Sequence, residues 1–193
     1  MKHLVIYSHP NERSFNHAIL DTWTSTLHER GHEIVIRDLY ELQFDPVLKG
    51  TDFEVFRSGS IPEDIKAEQE HIRWADVITF IYPIWWTGLP AIVKGYIDRV
   101  FSYDFAYAYA EDGTISKLLT GKRGFILNTQ GTPKDYYDQV GMTEALEKTS
   151  DTGILEFCGI EAAGHLFFGS VPQLDDEERK HMLEDVKAAA NKL

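Results

Sequence analysis

At 193 residues, 43% hydrophobic and 26% charged, the chain reads as one soluble globular domain over residues 1–193, long enough to bury a full core. A net charge of −12, with no Lys/Arg cluster to interrupt the acidity, excludes non-specific binding to nucleic acid or an anionic membrane, since both need a basic surface. A single cysteine, Cys158, excludes an intrachain disulfide; with no bilayer-length apolar stretch and no signal peptide before the first strand, the expected location is cytoplasmic.

The first element is the apolar run Leu4-Val5-Ile6-Tyr7, of the kind buried on both faces at the centre of a parallel sheet. The turn His9–Arg13 stops it. Ser14 then opens a helical pattern that places Phe15, Ile19, Trp23 and Leu27 on one face. A helix N-terminus carries unpaired N–H groups and partial positive charge, which suits a phosphate. Ser14 and Asn16 add side-chain hydrogen bonds, and His9 donates from the opposite wall. The plainer alternative is that Ser14 is only an N-cap and His9 a turn residue.

Gly31 is a C-terminal stop for this helix. A second strand is expected over Glu33–Arg37, then a long connection from Leu39 to Ile61 with a short helical piece near Asp52–Arg57. Ile65–Trp74 reads as a helix, Val77–Tyr82 as a strand stopped by Pro83, and Pro90–Phe101 as a helix. Phe105–Gly113 reads as an aromatic loop. Gly124–Asn128 is a fourth strand, Thr143–Cys158 a fourth helix, Ala162–Phe168 a fifth strand and Asp175–Lys192 the last helix, with Asp175 and Glu178 spaced as a capping box. Cys158 lies in an apolar helical stretch and reads as a packing residue rather than a nucleophile. The eight histidines are scattered. His28 and His32, four apart around Gly31, read as solvated, and no metal site is expected.

Strands alternating with helices imply a doubly wound α/β domain, a five-stranded parallel sheet with helices on both faces. Ligands of such sheets bind beyond the carboxyl ends of the strands. Three unusual turns fall there: His9–Ser14, Pro83–Gly88 and Asn128–Thr132. The second, Pro83-Ile84-Trp85-Trp86-Thr87-Gly88, sets two indoles beside exposed backbone N–H groups, which suits a flat heteroaromatic ring. In the third, Asn128-Thr129-Gln130-Gly131-Thr132, Gly131 lets backbone approach such a ring closely. No G-x-G-x-x-G, Walker A or G-x-S-x-G pattern is present.

Several stretches together carry a family resemblance: His9–Asn16 (H-x-x-x-x-S-F-N), Asp38-Leu39-Tyr40, Ala67-Glu68-Gln69, Pro83–Phe101 with G-x-P-A-I-x-K-G and R-V-F, Phe105–Tyr109, and Phe157-Cys158-Gly159. They cover most of the chain and resemble NAD(P)H:quinone oxidoreductases of the DT-diaphorase type, whose bacterial relatives include modulator of drug activity B and the ancillary flavoprotein of a potassium efflux system. The resemblance implies a flavodoxin-like fold, strand order 2-1-3-4-5, and a flavin (FAD or FMN) bound at a homodimer interface. It implies that His9, Phe15, Asn16 and Gln69 hold the phosphate and ribityl part. Pro83, Ile84, Trp85, Trp86 and Thr87, with Asn128, Thr129, Gln130 and Gly131, then line the ring. Tyr136 matches a catalytic tyrosine at the pyrimidine edge, and Tyr107 and Tyr109, with Trp86, match the substrate pocket shared with the partner subunit. Three positions depart from the family: Met142 replaces the histidine that accompanies the tyrosine, Thr87 a ring-facing Phe, and Gln130-Gly131 a two-glycine turn.

The implied activity is two-electron, ping-pong hydride transfer from NAD(P)H through flavin N5 to a quinone or similar acceptor. The alternatives are a regulatory flavoprotein bound to a membrane transporter and a small electron carrier. The aromatic loop argues against the carrier, which leaves its flavin edge exposed.

Overall fold

The computed structural model describes residues 1–193. Its frame is a five-stranded parallel sheet of β1 (Lys2–Tyr7), β2 (Glu33–Asp38), β3 (Val77–Pro83), β6 (Arg123–Thr129) and β7 (Glu161–Phe168), in the order β2-β1-β3-β6-β7. Counting only the strands of this sheet, that is the expected 2-1-3-4-5. The helices are α1 (Phe15–Glu29), α2 (Gly50–Arg57), α3 (Glu63–Trp74), α4 (Ala91–Val100), α5 (Lys134–Gln139), α6 (Met142–Glu147) and α7 (Asp176–Ala190).

Side-chain alternation along the strands sorts the apolar runs into two cores. Leu4, Ile6, Ile78, Phe80 and Ile126 face Ile72 of α3 and Val93, Tyr96 and Val100 of α4. Val5, Tyr7, Ile81, Phe125 and Leu127 face Ile19, Trp23 and Leu27 of α1 and Val186 and Ala190 of α7. Each of these larger side chains contributes about 1.5–3 kcal/mol of burial, which is why the strands carry no solvated face. Register then aligns the strand ends: Tyr7 pairs with Ile81, Ile81 with Leu127, and Leu127 with Leu166. The turns that leave β1, β3 and β6 are therefore neighbours.

The helix ends follow local chemistry. The Ser14 hydroxyl accepts the His17 amide N–H and caps α1. Asp175 and Glu178 form the expected capping box on α7. The connection between β2 and α3 is pinned to α4 by a buried charge pair, Arg99 Nε donating to Asp52 at 3.0 Å. Gly95 is needed beneath it, because a Cβ there would overlap Pro46.

Three expectations are corrected. The aromatic loop contains a hairpin, β4 (Tyr107–Tyr109) pairing antiparallel with β5 (Ile115–Lys117). Its Tyr-Ala-Tyr alternation is strand-like, and Asp112-Gly113, with φ +81° at the glycine, makes the turn. The helix expected over Thr143–Cys158 begins at Met142 and passes into a π-helix over Lys148–Glu156, while α5 forms ahead of it, with Pro133 at its N-cap. His32 is half-buried rather than freely solvated: its ring stacks on the buried His3 at 4.8 Å, with Nδ1 2.8 Å from His3 Nε2. Cys158 is buried, and burial pushes its thiol up to about 11, which fits packing rather than nucleophilic chemistry. No helix is long and apolar enough to cross a membrane.

Candidate functional site

The turns after β1, β3 and β6 enclose a cleft of about 270 Å³, lined by His9, Ser14, Phe15 and Asn16 on one wall and by Pro83, Ile84 and Trp85 on another. Thr129, Gln130 and Gly131 form the third wall and Val171 and Pro172 the rim. Hydrogen bonds hold the walls in place. Asn16 donates its amide to Thr129 Oγ1 at 2.7 Å, the Ile84 N–H donates to the Thr129 carbonyl at 2.7 Å, and the Gln130 N–H to the Phe168 carbonyl at 2.9 Å.

The cleft's polar inventory is specific. His9 Nδ1 accepts the Asn11 N–H at 3.0 Å, and burial holds its pKa below the usual histidine value. The same Nδ1 is 3.2 Å from the Asn11 carbonyl, so the ring is held against the Asn11 backbone by both of its polar groups. The first N–H groups of α1 have no intrahelical partner. Two buried acceptors are also without partners in the chain, Asn16 Oδ1 and Gln130 Oε1. A buried acceptor left unpaired costs about 1–3 kcal/mol, so these two call for donors on a ligand. An anionic group against His9 and the α1 terminus, with hydroxyl or imide N–H donors against Asn16 and Gln130, meets that demand. A phosphorylated polyol joined to a flat heterocycle, as in a flavin, has these groups.

The turn after β3 is strained. Trp85 and Gly88 exchange backbone hydrogen bonds of 3.2 Å, which closes a two-residue turn with Trp86 at φ +50° and Thr87 at φ +55°. Left-handed backbone is rare for a bulky residue and rarer for a β-branched one. The turn sends the two indoles different ways. Trp85 lines the cleft, while Trp86 is 100% exposed.

The other candidates are placed as follows. Asn128 is buried beneath the cleft and donates its amide to the Tyr82 carbonyl at 3.0 Å. Tyr136 is on the exposed side of α5; it is the adjacent Tyr137 that is buried, packed with Ile84, Leu146 and Phe167 against Met142. The place of the missing histidine is therefore apolar. Tyr107 and Tyr109 stand on β4, edge to face at 6.2 Å, outside the cleft. Tyr107 lines a separate cavity of about 700 Å³ beside α2. Gln69 is a correction: it is fully buried on α3, its amide donating to the Val100 carbonyl at 3.0 Å and to the Ser102 hydroxyl at 3.1 Å, and it does not reach the cleft. Sequence reasoning missed Val171 and Pro172. The signal was there, since they follow a strand that ends at the same edge of the sheet as the other three.

Comparison with known proteins agrees with this architecture. A family model described as having a flavodoxin-like fold, Flavodoxin_2, matches residues 1–192. An NAD(P)H oxidoreductase of Haemophilus influenzae is 41% identical over 95% of this chain and 91% of its own length. The rat NAD(P)H dehydrogenase [quinone] 1 is 28% identical over 95% of this chain and 74% of its own. The structure of an NAD(P)H:quinone oxidoreductase from Methanothermobacter marburgensis superposes with a TM-score of 0.86 at 28% identity, over 98% of this chain and 97% of the other.

Proposed function

This chain belongs to the Flavodoxin_2 family of flavodoxin-like fold, and from that premise we propose that it is a flavin-dependent NAD(P)H:quinone oxidoreductase. One observation carries the reading. In a single cleft at the carboxyl end of the sheet, a helix N-terminus, the His9 ring and two orphaned acceptors, Asn16 Oδ1 and Gln130 Oε1, present the complement of a flavin's phosphate, polyol and ring edge.

A flavin bound there supplies two-electron hydride chemistry between NAD(P)H and a quinone. The chain's own part is to bind, orient and exclude water. His9 and the first N–H groups of α1 hold the phosphate. Asn16 and Gln130 accept from the polyol and the ring edge. Trp85 and Ile84 wall the ring, and Gly131 lets the backbone approach it. Tyr136 supplies a hydroxyl donor for charge developing at the ring's pyrimidine edge, as oxyanion donors do. Reacting atoms must come within about 3–3.5 Å. One stacking face open in turn to NAD(P)H and the acceptor would support a ping-pong sequence.

The site is completed by a second copy of the chain. The cleft of about 270 Å³ falls below the range of about 300–1,000 Å³ usual for small-molecule sites. Trp86 meanwhile stands fully exposed, and Tyr103 and Tyr109, stacked on each other at 6.0 Å, are also exposed. A homodimer that brings the β4 hairpin of one copy over the other's cleft encloses the ring.

Reconstitution tests the reading. Purified protein incubated with FMN or FAD is expected to retain one of them through gel filtration, to elute as a dimer by light scattering, and to reduce a quinone with NAD(P)H. Retention of neither flavin rejects it.

A further inference from the structure

Behind the cleft lies a polar chain that the proposed site does not use. On β7, the His165 side chain is 3% exposed, its ring stacked on Phe167 at 3.9 Å. Its Nε2 is 2.7 Å from Asn128 Oδ1, and its Nδ1 is 3.0 and 3.2 Å from the two carboxylate oxygens of Asp151 in the π-helix.

Hydrogen-bond accounting settles the direction of each contact. The Tyr82 carbonyl only accepts, so the atom of Asn128 facing it at 3.0 Å is the amide nitrogen. Asn128 therefore turns its oxygen to His165, and Nε2 must donate. An ionised Asp151 also only accepts, so Nδ1 must donate as well. With Asp151 ionised, both ring nitrogens face acceptors only, an arrangement that a doubly protonated ring paired with the carboxylate satisfies. The pair is neutral overall, so its effect beyond its contacts is geometrical.

We propose that His165 is a positioning residue for the flavin-binding turns, donating from both ring nitrogens so that Asn128 is locked between it and the Tyr82 carbonyl. The role rests on the flavin reading given above. Asn128 begins the Asn128–Thr132 turn, and Tyr82 immediately precedes Pro83 and Ile84. The two turns are thereby set against each other at a fixed distance, which the Ile84 N–H to Thr129 carbonyl bond then completes. Phe167, under the imidazole, packs in the same cluster as Ile84, so the ring also supports that wall by contact. A half-satisfied buried network costs more than an apolar core. Here every contact is paired, and the unusual winding of residues 148–156 carries Asp151; π-segments are frequent at functional sites.

The other charged groups on this side leave the pair undisturbed. Lys134, Asp135, Asp185 and Lys192 line the open cavity beyond His165, two of each sign. Burial pushes the Tyr82 hydroxyl up to about 12, so it stays neutral.

The test has two arms. In nitrogen-labelled protein without flavin, the imidazole spectrum of His165 is expected to show both nitrogens protonated. An unprotonated nitrogen at His165 overturns the assignment. In the second arm, FMN and FAD are titrated into wild type, His165→Leu and Asp151→Asn, each checked for folding by circular dichroism. Leucine leaves Asn128 free to turn, and the dissociation constant of the retained flavin is expected to rise about tenfold. With asparagine at 151, a neutral His165 keeps Nε2–H on Asn128 and accepts at Nδ1 from the new amide, so affinity should stay within threefold while the imidazole spectrum changes. A purely structural role predicts a lower Tm for His165→Leu with unaltered affinity, and that result overturns the proposal. Should His165→Leu fail to fold, His165→Gln replaces it, since its amide cannot serve Asn128 and Asp151 together; affinity within twofold of wild type is then the overturning result. Failure of the wild type to bind either flavin strikes the flavin reading itself, and this role with it.

Discussion

Asn16 and Thr129 are 113 residues apart in sequence and meet at 2.7 Å, amide to hydroxyl, at the mouth of the cleft. The bond ties the helix that follows the first strand to the turn that follows the fourth of the sheet. It leaves the other amide atom of Asn16, Oδ1, buried and without a partner in the chain.

In the proposed function Asn16 serves fold and ligand through different atoms, and two substitutions separate the roles. Asn16→Leu is expected to destabilise the protein by about 1–3 kcal/mol, the usual cost of a buried group losing its partner, measured by urea unfolding. Asn16→Asp adds a negative charge to the wall whose helix terminus is proposed to hold the phosphate. The dissociation constant of FMN is expected to rise about tenfold, equivalent to about 1.4 kcal/mol, and that of riboflavin, which lacks the phosphate, by less. Equal losses for both ligands remove the phosphate from this wall.

Thr87 is a β-branched residue at φ +55°. Left-handed backbone costs an ordinary residue about 1–2 kcal/mol, whereas glycine adopts it freely and loses about 0.4–1 kcal/mol through its more flexible unfolded chain. Thr87→Gly is expected to be stabilising by about 0.5–1 kcal/mol, raising Tm by about 2–3 °C for a chain of this size. A lower Tm in calorimetry shows that the turn is not strained.

Tyr136 has an exposed side chain, so Tyr136→Phe should leave stability within about 0.5 kcal/mol. Flavin reduction by NAD(P)H in stopped flow is expected to slow about tenfold, or about 1.4 kcal/mol, with the flavin still bound. An unchanged rate removes Tyr136 from the chemistry. Met142→His, intended to restore the family's missing histidine, introduces a polar ring beside Ile84, Tyr137, Leu146 and Phe167. It should cost stability, about 1–3 kcal/mol, whatever it does to the rate.

The buried His3, stacked on the half-buried His32, makes stability fall on acidification. Burial, and then the neighbouring His32, lowers the His3 pKa from 6.5 to about 4. Between those values the unfolded chain binds a proton that the folded one does not. The stabilisation is present in full above pH 6.5 and is lost as pH falls to about 4, to an upper limit of about 3 kcal/mol. Unfolding free energies from pH 7 to 4.5 should therefore decline more steeply in wild type than in His3→Gln. Parallel declines reject the assignment.

The sequence by itself determined the frame. Leu4–Tyr7, Val77–Tyr82 and Phe125–Leu127 are apolar but for Thr79, and a parallel sheet covered on both faces buries such runs. Ser14 and the Asp175–Glu178 pair announced their helix starts because capping is local chemistry, decided within four residues. The three turns that line the cleft were legible for a related reason, since each leaves a strand whose direction the topology dictates. What the tertiary structure decided is which side chains of those turns meet. Gln69 matches a family stretch, yet α3 aims it at Val100 and Ser102. Trp85 and Trp86 are adjacent in sequence, and a left-handed turn sends one to the cleft and the other to solvent. His165 reads from sequence as one scattered histidine among eight; strand register sets it two positions diagonally from Asn128, and the π-helix brings Asp151 to its other side. Periodicity and capping follow from neighbours along the chain, whereas a side chain's partner across the sheet depends on register and helix winding, which no local pattern encodes.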